Sequence, residues 1–274
     1  MKRAAKAIAY RFLLNAVDGH LYVGKSNREY LRHYGVPERR LFFVPHLVDD
    51  CWFAGQAATG RVDGAVARRR AEFAVSDDTV VALFVGRLVA SKRPLDFVDA
   101  VTHASRVRKI AGVIAGSGPL ESQLHERIAA FDAPVQMIGF VNQSALPALY
   151  AATQMLVLPS DASETWGLVV NEAMACGVPA VVSDAAGCAR DLIDSSTGCT
   201  YPVGNVTALS AAMCQLGDRL RQAPQETRDA LTATTAVFSA ASAAERTLAA
   251  IENVLSAVSA KPDGKPVGRT VVAE

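Results

Sequence analysis

Along most of this chain, continuous apolar runs alternate with stretches of helical period. The runs are Thr79 to Val85, Lys109 to Ala115, Val135 to Ile138, Met155 to Leu158 and Pro179 to Val182. Leu95 to Arg106, Leu120 to Phe131, Ser144 to Ala151, Leu168 to Cys176 and Ala189 to Ile193 place apolar residues on one helix face. Runs that are apolar throughout, separated by helices, predict a parallel sheet covered on both faces: an α/β, Rossmann-like architecture. Ahead of it, residues 4–17 carry Ile8, Phe12, Leu13 and Val17 at helical spacing. A strand at His20 to Val23, a helix at Asn27 to His33 and a strand at Arg40 to Val44 follow, stopped by Pro45. Residues 49–78 read as a polar connector with a basic helix, Ala65 to Phe73. The region 205–258 is Ala-rich and helical, and 259–274 is a loose tail with two prolines and two glycines.

Composition narrows the class. Half of the 274 residues are hydrophobic and 20% are charged, which supplies a core and excludes a disordered chain. The net charge of +1 leaves no basic excess for phosphate backbones, so nucleic acid is not an expected partner. No apolar run reaches the ~20 residues of a membrane span. Five cysteines, odd in number and without a CxxC pair, read as reduced thiols of a cytoplasmic protein with no zinc site. Met1-Lys2-Arg3 looks like the start of a signal peptide, but Lys6 and Arg11 interrupt the apolar stretch. An amphipathic helix is the expectation. Peripheral contact with the inner membrane face is the alternative.

Ligands of parallel sheets bind at the strands' carboxyl ends, and the unusual residues lie in those loops. After the first run come Gly86-Arg87-Leu88 and then Lys92-Arg93-Pro94, two cations suited to a diphosphate. A solvated basic loop would look the same. After the second run come Gly116-Ser117-Gly118-Pro119, a turn that allows close backbone approach but that many strand-to-helix turns share. It is not a dinucleotide fingerprint, because Glu121 stands at the third glycine's position, so a nicotinamide oxidoreductase is disfavoured. After Leu158, Glu164 lies in a loop and Glu172 about one turn into the next helix. The first amides of that helix, at Gly167, Leu168 and Val169, suit a phosphate. Glu164 alone could be a carboxylate complementing the helix dipole. Glu172, on an otherwise apolar helix, needs a partner.

This segment resembles the E-x(7)-E signature of retaining GT-B glycosyltransferases of the group-one family, which use nucleotide-sugar donors. Val85-Gly86-Arg87-Leu88 with Lys92 resembles the family's diphosphate loop, and Gly116 to Leu120 its second glycine turn. Ile138-Gly139-Phe140-Val141 resembles the strand end where backbone atoms hold the base, and Glu172 to Pro179 is close to the family consensus. The resemblance implies that Arg87 and Lys92 bind the two phosphates and that Glu164 meets the transferred sugar. It likewise implies that Glu172 accepts the ribose hydroxyls, that Gly86, Gly116 and Val141 line the donor site, and that the amides at Gly167 to Val169 complete it. Trp166 would keep an aromatic wall. Arg190-Asp191, in the place of a common Glu, would alter sugar or phosphate contacts.

The implied division is 1–59 as the remnant of an acceptor domain with its connector, 60–258 as the donor domain, and 259–274 as the tail. Most of the acceptor domain is then missing, and its absence would expose an apolar face and favour self-association. The implied partners are a nucleotide-sugar donor and a carbohydrate or lipid-linked acceptor of bacterial polysaccharide or glycolipid assembly. No metal or further cofactor is implied, since cations replace the metal and no Asp-x-Asp motif is present. A non-catalytic nucleotide-sugar binding module is the competing reading. His33, His103 and His125 read as surface residues, Trp52-Phe53 as connector packing, and His46 as a residue near the cleft.

Overall fold

A computed structural model describes residues 2–259. The chain opens with the Lys2–Asn15 helix, strand β1 (His20–Tyr22), the Lys25–His33 helix and strand β2 (Leu41–Phe43). β1 and β2 pair in parallel as a two-stranded sheet, with His20 opposite Leu41. Leu31, Val36 and Leu41 form a small core beneath them.

The larger unit holds β3 (Val80–Val85), β4 (Ile110–Ala115), β5 (Val135–Gly139), β6 (Met155–Leu158), β7 (Ala180–Ser183) and β8 (Gly198–Tyr201). These form one sheet in the order β5-β4-β3-β6-β7-β8, with every neighbouring pair parallel. β8 is a strand the hydrophobic pattern missed, because Gly198, Thr200 and a polar flank interrupt its apolar run. Alternation along the strands splits the core in two. Val81, Leu83, Val113, Leu156, Leu158 and Val182 point to one face. Val80, Ala82, Phe84, Ile114, Val157 and Val181 point to the other. The Pro94–Ser105 and Val206–Gln222 helices cover the second face with Phe97, Val101, Leu209 and Met213. The Leu146–Ala151 and Leu168–Ala175 helices cover the first with Leu149, Tyr150, Val170 and Ala173.

The connector is more ordered than its polarity predicts. Residues Asp50–Val62 form a helix whose N-cap, Asp49, accepts the Trp52 amide at 2.9 Å. Its Phe53, 1% exposed, and Ala57 enter the first-face core. The boundary expected between residues 59 and 60 thus falls inside one helix, since three apolar positions a turn apart suffice to seat it on the sheet. The Pro224–Val237 and Ala240–Ser259 helices complete the described chain, and the latter returns to β2. Phe12, Leu13, Leu21, Leu248 and Leu255 are exposed around that N-terminal unit, with Phe12 at 84%. No helix among the described residues is long and apolar enough to cross a membrane. The expected tail lies at the edge of the described residues, with 260–274 outside them.

The strand order is a doubly wound one, with its reversal between β3 and β6. The loops after β3 and β6 diverge there to opposite faces, and the crevice between them is where a ligand fits. Phe53 holds the connector helix over the first face, edge-on to Tyr150 at 6.4 Å between ring centroids. Phe53→Ala should lower stability by about 3–5 kcal/mol, read as a lower urea midpoint at unchanged slope.

Candidate functional site

A cavity of about 380 Å³ opens at the carboxyl ends of β3, β4 and β5. Gly86 and Arg87 line it from the loop after β3, and Gly116 and Ser117 from the loop after β4. Phe140, Val141, Gln143 and Leu146 line it from the segment after β5, and Glu172 from the Leu168–Ala175 helix. Five of the sequence-predicted residues, Gly86, Arg87, Gly116, Val141 and Glu172, therefore share one hollow.

The two glycine loops make this possible by near contact of backbones. Gly116 has φ +153°, and a Cβ placed on it would lie 1.9 Å from the Gly86 carbonyl oxygen. Its amide donates to the Gly139 carbonyl at 2.7 Å. The Gly86 amide donates to the Ala115 carbonyl at 3.0 Å and the Leu88 amide to Ser117 at 2.9 Å. Any side chain at Gly116 would push the loops apart and fill the cavity's rim.

Glu172 is half-buried, and its Oε2 accepts the Tyr150 hydroxyl at 2.7 Å. Burial raises the Glu172 carboxyl above its ordinary range, and the Tyr150 hydrogen bond opposes that shift. Tyr150 is 0% exposed, and burial next to this carboxylate drives its phenol well above the usual value, so it stays a donor. Sequence reasoning missed Tyr150. The only signal was a tyrosine on an apolar helix, which reads as core.

Lys92 and Glu164 lie outside the cavity lining and are ion-paired with each other, Lys92 Nζ to Glu164 Oε2. Ser160 donates its hydroxyl to the same oxygen at 3.2 Å. The Asp161 amide donates to the Ser91 carbonyl at 2.9 Å, which ties the loop after β6 to the loop after β3. Gly167, Leu168 and Val169 also lie outside the lining, at the start of the helix that carries Glu172. Gly167 enters that helix at φ +104°, where a Cβ would stand 2.5 Å from Leu158.

Three further residues depart from expectation. Trp166 forms no wall of this cavity: it is 3% exposed, donates its indole N–H to Asn171 at 2.9 Å, and packs against His46 and Phe238. Its bulk and its one polar atom are both satisfied inside. Arg190 and Asp191 contact the N-terminal unit. The Lys25 amide donates to both Asp191 oxygens at 3.1 and 3.0 Å, capping the Lys25–His33 helix. Arg190 forms a two-pronged pair with Glu29 at 2.6 and 2.8 Å. His46 is exposed, and its carbonyl accepts from Asn171 Nδ2 at 3.3 Å. His33, His103 and His125 are exposed as expected. The Cys176 and Cys188 thiols are buried, and each is pushed up to about 12 by desolvation, so neither is a nucleophile.

Comparison with known proteins bears on the family and the fold. Residues 66–227 match the model of the glycosyl transferases group 1 family. The chain belongs to that family. It is 32% identical over 205 residues to the D-inositol 3-phosphate glycosyltransferase of Geodermatophilus obscurus, covering 70% of this chain and 42% of that one. A glycosyltransferase from Rickettsia africae superposes with a TM-score of 0.74 at 16% identity, over 90% of this chain and 67% of that one. Anabaena Alr3699/HepE, solved in complex with UDP and glucose, gives 0.62 at 18% identity, over 94% and 67%. The fold is that of GT-B glycosyltransferases. To the alpha-D-kanosaminyltransferase of Streptomyces kanamyceticus this group 1 chain is 28% identical over 197 residues, 71% of this chain and 49% of that one. It thus spans less than half the length of both curated relatives.

The raised Glu172 carboxyl has a consequence for stability. Between the unfolded and the higher folded value, the folded chain binds more protons than the unfolded one. Stability therefore falls as pH rises across that window. Glu172→Gln should remove this part of the slope, measured as the urea midpoint from pH 4 upward.

Proposed function

We propose that this chain holds a nucleoside-diphosphate sugar in the cavity beside β3, β4 and β5 and supplies the donor half of a sugar transfer. The observation that carries the reading is that Arg87 and Glu172, from elements far apart in the chain, line one hollow. A planar guanidinium suits a diphosphate, and a carboxylate that only accepts suits the ribose hydroxyls. Exposed Phe140 and half-buried Val141 at the rim offer an apolar surface to the base, next to the backbone of the β5 end. The solved HepE complex with UDP and glucose supports this class of ligand.

In this reading Lys92 meets a phosphate, and Glu164, its partner in the free chain, meets hydroxyls of the transferred sugar. The first amides of the Leu168–Ala175 helix, at Gly167 to Val169, add partial positive charge. As the bond to the anomeric carbon breaks toward an oxocarbenium-like state, these groups neutralise the charge growing on the leaving diphosphate. Arg87 and Lys92 take the part of a metal ion. In this reading the configuration is retained, and the acceptor is a carbohydrate or lipid-linked molecule of polysaccharide or glycolipid assembly. The unit ahead of the Asp50–Val62 helix then belongs to the acceptor side, and that helix, seated on the donor core, together with the rest of 60–258 belongs to the donor side.

A second reading, a nucleotide-sugar binding module without transfer, is favoured by one observation: Lys92 and Glu164 are ion-paired with each other outside the lining of the cavity. Titration calorimetry with UDP, GDP and ADP tests the shared reading. One of them should bind, and Arg87→Ala and Glu172→Ala should each weaken it by about tenfold or more, the loss expected for a charge-assisted contact. Affinity unchanged in both variants would overturn the site. Release of free sugar from the donor, or its transfer, supports the enzyme. Binding with neither supports the module.

A further inference from the structure

The group that decides what Glu172 can recognise stands behind it. Tyr150 belongs to the short Leu146–Ala151 helix, which is wedged between the Asp50–Val62 and Leu168–Ala175 helices. Its ring is fully buried with Phe53 at its edge, and its carbonyl accepts the Thr153 amide and hydroxyl at 2.9 and 2.8 Å. The phenol is therefore fixed in place. Its hydroxyl donates to Oε2 of Glu172, and Glu172 also lines the cavity.

We propose that Tyr150 is a positioning residue that makes this site select a ribonucleotide over its 2′-deoxy counterpart, by holding Glu172 as an accept-only carboxylate with one oxygen toward the cavity. The inference rests on the reading that Glu172 meets the ribose. A vicinal diol presents two O–H donors side by side, and a fixed carboxylate oxygen with two lone pairs accepts both. Removing the 2′-hydroxyl leaves an acceptor unmatched in a half-buried site, which costs more than the same loss in water. That discrimination requires the carboxylate to stay ionised and to stay still. Burial works against the first and a flexible three-bond side chain against the second, and the Tyr150 hydroxyl counters both.

The charged and titratable groups around this carboxylate are few. Arg87 faces it across the cavity. Tyr150 lies behind it, and Cys176 stands one turn along its own helix. Arg61 reaches that end from the Asp50–Val62 helix, bonded to the Cys176 carbonyl at 2.7 Å. Burial raises the Glu172 carboxyl and the Tyr150 hydrogen bond lowers it. What Tyr150→Phe removes is, among the described residues, the one hydrogen bond made directly to the carboxylate, while its ring fills the same volume.

The experiment uses the full chain and calorimetry. Whichever of UDP, GDP and ADP binds best is compared with its 2′-deoxy form across a pH series, with a thermal melt as the check on folding. The wild type should prefer the ribonucleotide by about tenfold or more, and Tyr150→Phe should reduce the preference to under about threefold. The carboxyl of Tyr150→Phe loses the bond that lowers its pKa. Ribonucleotide binding should therefore fail at a higher pH on acidification than in the wild type. A residue that only filled space would leave that profile unmoved. Because Tyr150 acts through Glu172, adding Tyr150→Phe to Glu172→Gln should change the preference no further.

Tyr150→Phe with the wild-type preference and pH profile, while Glu172→Gln loses the preference, overturns the role of Tyr150 alone. Glu172→Gln with the full preference overturns the ribose reading beneath it, and so does failure of all three nucleotides to bind. Should Tyr150→Phe not fold, Glu172→Asp withdraws the carboxylate from the hydroxyl. An unchanged preference there overturns the proposal, and a lost one with a shifted pH profile supports it.

Discussion

Everything chemical in this chain depends on the divergence between β3 and β6. In a parallel sheet wound in both directions, the connections leaving two adjacent strands pass to opposite faces. Their backbones must separate at the carboxyl ends, and the separation leaves a crevice that needs no special side chain to keep open. In this chain the β3 side of the crevice carries Gly86, Arg87 and Lys92, and the β6 side carries Glu164 and the helix bearing Glu172. The Asp161 amide to Ser91 carbonyl bond closes the far end, so the opening faces β4 and β5, where the cavity lies.

Electrostatics then divide the crevice into two compartments. Toward β4 and β5, Arg87 and Glu172 line the same hollow. Toward β6, Lys92 and Glu164 satisfy one another, with Ser160 as a third partner. A half-buried carboxylate beside a half-exposed ammonium favours such a pair in the absence of other ions.

The segments after β6 and β7 also hold the N-terminal unit. After β7, Asp191 caps the helix that follows β1 and Arg190 pairs with Glu29; after β6, the buried Trp166 packs close against Gly24. These contacts anchor the N-terminal unit on the same edge of the sheet as the cavity. The Ala240–Ser259 helix anchors its other side by returning to β2. The N-terminal unit is therefore held beside the mouth of the crevice by polar contacts from one region and apolar contacts from another.

Hydrophobic period alone determined most of the sheet and the helices on it, because fully buried parallel strands leave unbroken apolar runs that nothing else in a chain of this composition produces. It also determined the loops that hold Arg87 and Gly116, since strand ends are legible wherever an apolar run meets glycine, and the helix that holds Glu172. The connector helix was not legible, because only Phe53, Ala57 and Gly60 of its thirteen residues are buried, and its polar face dominated the pattern. Only the tertiary structure decided which of the predicted residues meet. Spacing put Glu164 and Glu172 eight residues apart, but which way each carboxylate turns depends on Lys92 and on Tyr150, distant in sequence. The same holds for Trp166 and Asp191, read from the sequence as ligand contacts and placed by the fold in packing and helix capping. Backbone pattern is a local property and survives in the sequence. The partner of a side chain is a property of what the folded chain brings within about 3 Å, and no local period records it.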